Sequence, residues 1–261
     1  MRVSVITINY NNGTGLEKTI RSVIKQSYID YEYIVIDGGS TDSSKQILEI
    51  YSDKITCWVS EPDKGIYEAM NKGIIRAKGE FCHFLNSGDI YADDEVLRKI
   101  FENKEYSVPL LRGVQICAAD TGIFRWRNHG NRDVTLFDLY VDTMQHQATF
   151  IRRSLFDKYG LYDIKYKIVS DWKFFMQTML GDEKSVFLDM DIVIFDMTGI
   201  SNDPKYYGLM CEERNKVIDE LIPKTIRATF DHVIELEKEK RKYRRYIRLG
   251  KFINKLKGKK P

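Results

Sequence analysis

Residues 3–42, VSVITINYNNGTGLEKTIRSVIKQSYIDYEYIVIDGGSTD, decide the fold. Val3 to Ile8 is an apolar run of strand length. Thr14 with Glu17 three residues on has the form of a capping box, and Leu16, Ile20, Val23 and Ile24 recur at helical spacing, which predicts a helix over 15–27. Tyr33 to Asp37 is a second apolar strand. Gly38, Gly39, Ser40 and Asp42 then supply the turn and cap for a helix carrying Ile47, Leu48 and Tyr51.

The unit recurs further along. Ile55 to Val59 reads as a strand, Ile66 to Lys78 as a helix closed by Gly79 at the C′ position, and Phe81 to Leu85 as another strand. This alternation predicts an α/β fold with a parallel, doubly wound sheet, whose ligands bind outside the carboxyl ends of the strands. Those ends carry Asn9, Asp37, Glu61 to Asp63, and Asn86 to Asp89. After a helix near 93–102 the pattern turns irregular, with strands expected at 110–118 and 122–128 joined by Asp120-Thr121-Gly122, where the sheet becomes mixed. A helix capped by Ser170 or Asp171 runs to about 180, presenting Trp172, Phe175, Met176 and Met179 on one face, and 186–195 is one more strand. From 204 on the signal is helical. The expected division is a domain over 1–203 and a helical extension over 204–261.

A hydrophobic content of 43% with 30% charged residues and five prolines excludes a disordered or collagen-like chain. The N-terminus lacks the charged-then-apolar layout of a secretory signal and no stretch approaches the ~20 apolar residues that span a bilayer, so a cytoplasmic protein is expected. Cys57, Cys82, Cys117 and Cys211 lie far apart without metal-site or disulfide spacing and are expected to be reduced thiols, mostly buried. Charge is distributed unevenly. Residues 238–260 hold twelve Lys or Arg against the single acid Glu239, +11 in all, which against a whole-chain +3 leaves the body at −8.

Several segments together resemble the family-two glycosyltransferases: VSVITINYNN at 3–12, YIVIDGGSTD at 33–42, SEPDKGIYEAMNKGI at 60–74, FLNSGD at 84–89, HQATFIRR at 146–153 and SDWKFF at 170–175. The resemblance spans about two thirds of the chain and rests on the order and spacing of the segments. It implies the GT-A fold, a Rossmann-like, mostly parallel mixed sheet flanked by helices. The implied activity is inverting transfer of a sugar from a nucleoside diphosphate, UDP first, to a glycan or polyprenyl-linked acceptor in bacterial capsule, exopolysaccharide or lipopolysaccharide assembly.

Such a reaction needs a site that holds a base, neutralises the leaving diphosphate and deprotonates a hydroxyl. The resemblance assigns Asp37, with Thr7, Asn9 and Asn11 beside it, to the nucleoside; read from the turn alone, Asp37 equally tightens Gly38-Gly39. Asp63 and Lys64 precede a helix N-terminus suited to phosphate, with helix capping as the alternative for Asp63, and Asn71 lies within that helix in reach of the donor. Asn86-Ser87-Gly88-Asp89 stands where the family carries an Asp-X-Asp element. With Asn86 in place of the first acid, Asp89 is the expected carboxylate ligand of Mn²⁺ or Mg²⁺. Asp171 is the expected catalytic base, with a helix cap as the alternative. His146 and Trp172 are expected on the acceptor or phosphate side, each also readable as a structural residue, and Thr198-Gly199-Ile200-Ser201 as a loop near the phosphates.

Tyr246, Leu249, Ile253 and Leu256 fall on one helical stripe amid Arg244, Arg245, Arg248 and Lys251. This is the composition of a helix lying on an anionic membrane surface, which predicts peripheral attachment through 238–260 at the inner face of the cytoplasmic membrane, a solvated or partner-packed helix being the alternative. The acidic body argues against nucleic acid. Two rivals remain. A sugar-phosphate nucleotidyltransferase would carry a glycine-rich loop with a basic residue where Asn9 to Asn12 stand, and a non-catalytic membrane-surface scaffold would not need Asp89 and Asp171.

Overall fold

The computed structural model describes residues 1–119 and 122–256, with the side chains of 118–119 and 246–256 outside the description. The expected Asp120-Thr121 turn and the apolar stripe of the basic tail therefore lie outside the described residues. The chain forms two compact units, Met1–Arg214 and Asn215–Pro261.

In the first unit, β1 (Val3–Asn9), α1 (Gly13–Ile24), β2 (Tyr31–Asp37), α2 (Ser44–Ile50), β3 (Cys57–Ser60), α3 (Ile66–Arg76) and β4 (Phe81–Phe84) alternate as expected. The strands pair in parallel in the order β3-β2-β1-β4. All seven residues of β1 are buried, so both faces of the sheet are covered. Val3, Val5, Tyr33 and Val35 pack with Leu16, Ile20 and Val23 of α1 and Leu48 of α2 in one core, while α3 packs on β1 and β2, its Gly73 opposite Ile6. The two-residue period of the strand sends odd and even positions to opposite faces. Each such buried aliphatic side chain contributes about 1.5–3 kcal/mol.

Two local expectations are corrected. Thr14 is not the cap of α1; Asn12 is, its side chain accepting from Gly15 N at 3.1 Å. The helix starts two residues earlier because Asn12 reaches an orphan N–H, that of Gly15, and a Cβ on Gly15 would lie 2.3 Å from the Asn12 amide. Gly79 is not a left-handed C′ residue either, because α3 ends at Arg76 with Ala77 extended. Glycine is required there by close approach: a Cβ would sit 2.5 Å from Ser4 N and 2.6 Å from the Val3 carbonyl carbon.

The second half of the sheet is mixed. After β5 (Ile90–Tyr91) and α4 (Val96–Phe101) come β6 (Leu110–Ala119), β7 (Gly122–Trp126), α5 (Leu136–Val141), β8 (Thr149–Arg152), α6 (Ser154–Tyr159), α7 (Ser170–Leu180) and β9 (Ser185–Phe195). The full order is β3-β2-β1-β4-β8-β6-β9-β5, with β7 paired to β6. β8 runs antiparallel between β4 and β6, and β9 runs parallel to β6 and antiparallel to β5. Short 3₁₀ turns at Ile200–Asn202 and Pro204–Tyr206 lead into α8 (Tyr207–Leu221). The second unit contains α9 (Lys224–Leu256). Among the described residues no helix is long and apolar enough to cross a membrane.

Candidate active site

Register fixes the floor of the site. Asn9 pairs with Asp37 across β1 and β2, and Asp37 with Ser60 across β2 and β3, so three polar side chains end adjacent strands in one row. Asp37 is fully buried and accepts from Asn9 Nδ2 (2.7 Å), Ser40 N (3.0 Å), Ser40 Oγ (2.5 Å) and Ser60 Oγ (2.7 Å). Burial alone raises its pKa, but the bonds from Ser40, Ser60 and Asn9 outweigh it and hold the carboxyl below the ordinary range. Asn9 also donates to Ser44 Oγ (2.9 Å) and accepts from Ser87 Oγ (2.8 Å), tying this row to the turn after β4. Asn11, left-handed at φ 51°, accepts from Thr41 N at 2.8 Å and joins the 9–12 and 38–42 loops.

That turn is Asn86-Ser87-Gly88-Asp89. Thr19 Oγ donates to Asp89 O at 2.7 Å and accepts from Gly88 N at 3.0 Å, pinning it to α1. Asp89 is 2% exposed, and its Oδ1 accepts from the backbone N–H of Asp196, just beyond β9, at 2.8 Å. Burial, with the Asp196 charge adding to it, pushes Asp89 up to about 8, against the pull of the Asp196 and Asn86 backbone. Gly88 has φ 107°, and a Cβ there would lie 2.4 Å from Asp196 Oδ2, so glycine is what lets this second carboxylate come down on the turn. Asn86 Oδ1 is buried without a hydrogen-bond partner. An orphaned amide oxygen beside two carboxylates is an all-oxygen donor set, which fits a hard divalent cation such as Mn²⁺ or Mg²⁺. Among the described residues no group of three or more His, Cys, Asp and Glu could hold a metal.

One cleft of about 890 Å³ runs over these elements. Asn9, Asn86, Ser87 and Asp89 line it, as do Asp63 and Lys64. Asp63 Oδ1 accepts from Gly65 N at 2.9 Å, a turn contact and not a helix cap: the cap of α3 is Gly65 at φ 128°, without a side-chain bond. The α3 N-terminus is thereby left open on the cleft, where its unpaired N–H groups favour an anion. Burial, with Glu68 and Asp37 nearby, raises the Asp63 pKa against the opposing Gly65 N–H and Lys72.

Asp171 and His146 line the same cleft. Asp171 stands in the first turn of α7, but the cap position is Val169 with no side-chain bond, so its carboxylate is not spent on capping. Its Oδ1 accepts from Tyr67 Oη at 2.7 Å. His146 is 3% exposed, stacks on Phe84 at 4.7 Å and bonds Tyr162 Oη through Nε2 at 2.8 Å. Burial lowers its pKa although the Asp171 charge pulls the other way, which favours the neutral ring.

Three of the expected site residues are held away from the cleft lining. Thr7 is fully buried against Leu85 O and Tyr33 Oη. Asn71 donates to Tyr162 O (2.8 Å) and accepts from Tyr162 N (3.0 Å), so both ends of its amide hold backbone. Trp172 is 2% exposed, and its indole N–H donates to Leu139 O and Asp142 O. These three side chains lie outside the cleft lining, and Asp37 and Asn11 act beneath or beside it. The reading of residues missed Tyr10, Tyr67, Lys167, Asp196 and Tyr206, which do line it. Tyr67 sits within a quoted motif and Asp196 one residue past an expected strand, signals that position alone could have supplied.

The model of glycosyl transferase family 2 matches residues 4–160. The chain is 35% identical over 203 residues to an uncharacterized glycosyltransferase of Mycobacterium tuberculosis, covering 77% of each chain. Its fold is similar to that of S. aureus TarS 1–349 in complex with UDP-GlcNAc, with a TM-score of 0.67 at 21% identity over 86% of this chain and 68% of that one; it spans 36% of the longer TarS chain. It is also similar to the mannosyltransferase PcManGT of Pyrobaculum calidifontis in complex with GDP-Man and Mn²⁺, with a TM-score of 0.61 at 14% identity over 87% of this chain and 64% of that one. The chain belongs to glycosyl transferase family 2, a glycosyltransferase of GT-A fold.

Proposed function

We propose that the cleft transfers one sugar, with inversion, from a nucleoside diphosphate, UDP before GDP, to a hydroxyl of a glycan or polyprenyl-linked glycan. The observation that carries this reading is that a carboxylate spared from capping, Asp171, lines the same cleft as the Asn86–Asp89 turn and the open α3 N-terminus. The nucleotide sugars bound by TarS and by PcManGT support the donor class. The nucleoside lies over the Asn9, Gly38 and Asp63 region, with Asp37 as the buried support of that floor. Lys64 and the α3 N–H groups face the diphosphate. Asp89, Asn86 and Asp196 would hold the Mn²⁺ or Mg²⁺, which when bound neutralises charge on the diphosphate.

Asp171 takes the proton of the acceptor hydroxyl as its oxygen bonds to the anomeric carbon and the bond from that carbon to the diphosphate oxygen breaks. His146, buried, closes the wall beside it. The pathway reading is assembly of capsule, exopolysaccharide or lipopolysaccharide, on the cytoplasmic face of the membrane. The basic segment 238–260 is the attachment to anionic lipid, and the twelve cations of that segment support this over nucleic acid, given the acidic body.

The test is release of nucleoside diphosphate from UDP-glucose, UDP-N-acetylglucosamine, UDP-galactose and GDP-mannose, with Mn²⁺ and a short-chain polyprenyl diphosphate sugar as acceptor. One donor is expected to turn over, and Asp171→Asn to slow it by roughly 10²- to 10⁴-fold while UDP still binds. Undiminished turnover by Asp171→Asn would remove Asp171 as the base.

A further inference from the structure

Tyr67 is the second residue of α3, directly after Ile66, and both line the cleft with the cap residue Gly65. Its side chain is buried, 5% exposed, and its ring packs on that of Tyr162 at 5.6 Å, which in turn bonds His146. The single phenolic proton lies between two acceptors, Asp171 Oδ1 at 2.7 Å and Ile168 O at 2.6 Å. A carbonyl can only accept, and an ionised carboxylate can only accept, so both bonds draw on one hydrogen.

We infer that Tyr67 is the positioning residue of the catalytic base: it fixes Asp171 through Oδ1 and leaves Oδ2 for the acceptor hydroxyl. The inference rests on Asp171 being that base. While Asp171 is ionised, the carboxylate is the stronger acceptor and holds the phenolic proton. Once Asp171 has taken the acceptor's proton its pull weakens, and the phenol turns to the Ile168 carbonyl. The buried hydroxyl thus stays satisfied before and after transfer with no heavy atom displaced, and α7 keeps its place. Burial, then the Asp171 charge, raise the Tyr67 pKa well above its usual value, so it remains a donor throughout. Because α3 also presents its N-terminus to the donor side, seating of the diphosphate and aim of the base share one helical turn.

The charged and titratable groups around Asp171 are Tyr67 on α3, His146 before β8, Tyr162 before α7 and Arg214 on α8, with Lys167 lining the same cleft. Tyr67→Phe removes one donor and leaves these in place. In the nucleoside diphosphate release assay, with the donor that turns over there, Tyr67→Phe is expected to lower kcat roughly 10- to 100-fold, because the base is no longer held in one orientation. UDP affinity and its one-per-chain stoichiometry are expected to be unchanged, which shows the variant folded. The KM for the donor is expected to stay within about two-fold, so that the loss falls on kcat.

A Tyr67→Phe rate within about two-fold of the wild type, with Asp171→Asn inactive, overturns the inference and leaves the base standing. A rate loss that tracks lost UDP stoichiometry, or one carried by KM with kcat unchanged, also overturns it, as packing alone. Full activity of Asp171→Asn removes the base and this inference with it.

Discussion

Asp89 shows why a site residue can be read from sequence while its state cannot. The position after Phe84-Leu85-Asn86-Ser87-Gly88 marked it as the carboxylate at a strand end. Its environment depends on Asp196, 107 residues away, which β9 delivers and no local pattern announces. Because the folded-state pKa rises from 3.8 to about 8, the fold binds the neutral form better. The stability this lends is complete below about pH 4 and is lost as pH rises through 8. Asp89→Asn is therefore expected to raise the Tm of the metal-free protein, most above pH 8, while abolishing any Mn²⁺-dependent rise in Tm. A thermal series across pH with and without Mn²⁺ checks both, and a retained Mn²⁺ response would take Asp89 out of the cation site. Trp172 fails in the opposite way. An aromatic residue beside the expected catalytic base reads as a sugar platform, and only the tertiary structure reveals that its N–H is held by the carbonyls of Leu139 and Asp142.

At the scale of elements, α3 is where sequence and structure diverge most usefully. Its start at Ile66 was legible, but its cap, Gly65 and not Asp63, was not. The work of its polar face was not, since a polar residue at a given helical position serves equally for a ligand or for a neighbouring loop. Asn71 serves a loop: it clamps the Tyr162 backbone and so holds the wall that carries His146's partner. Asn71→Ala is expected to cost about 2–3 kcal/mol in denaturant unfolding, by orphaning a buried N–H and C=O. UDP affinity is expected to stay within about two-fold, measured on the folded protein; a large loss of affinity without loss of stability would restore the donor contact. The short β8 escaped sequence reading because Thr149–Arg152 carries no two-residue alternation, its three leading residues all being buried.

Across the whole molecule, the half of the sheet built from strand-helix alternation was legible because each crossover is local and of one hand. In the mixed half, α4, β6, β7, α7 and β9 and the change to a mixed sheet were legible, but the order and pairing of its strands were not. Its pairings join Phe81 to Arg152 and Leu110 to Ser185, contacts that chain order does not imply. The candidate site straddles both halves: the parallel half supplies the floor and the Asn86–Asp89 turn, and the later half supplies Asp171 and Asp196. Residue types at strand ends thus marked one edge of the cleft, while its assembly required the topology. The measurement that bears most directly on that assembly is an experimental electron-density map of the full chain with UDP and Mn²⁺, read with the anomalous signal of the metal. The account predicts the cation bound to the Asp89 carboxylate, the diphosphate at the α3 N-terminus and the uracil over Gly38 and Asp63. Nucleotide and metal bound elsewhere, with this cleft empty, would contradict it.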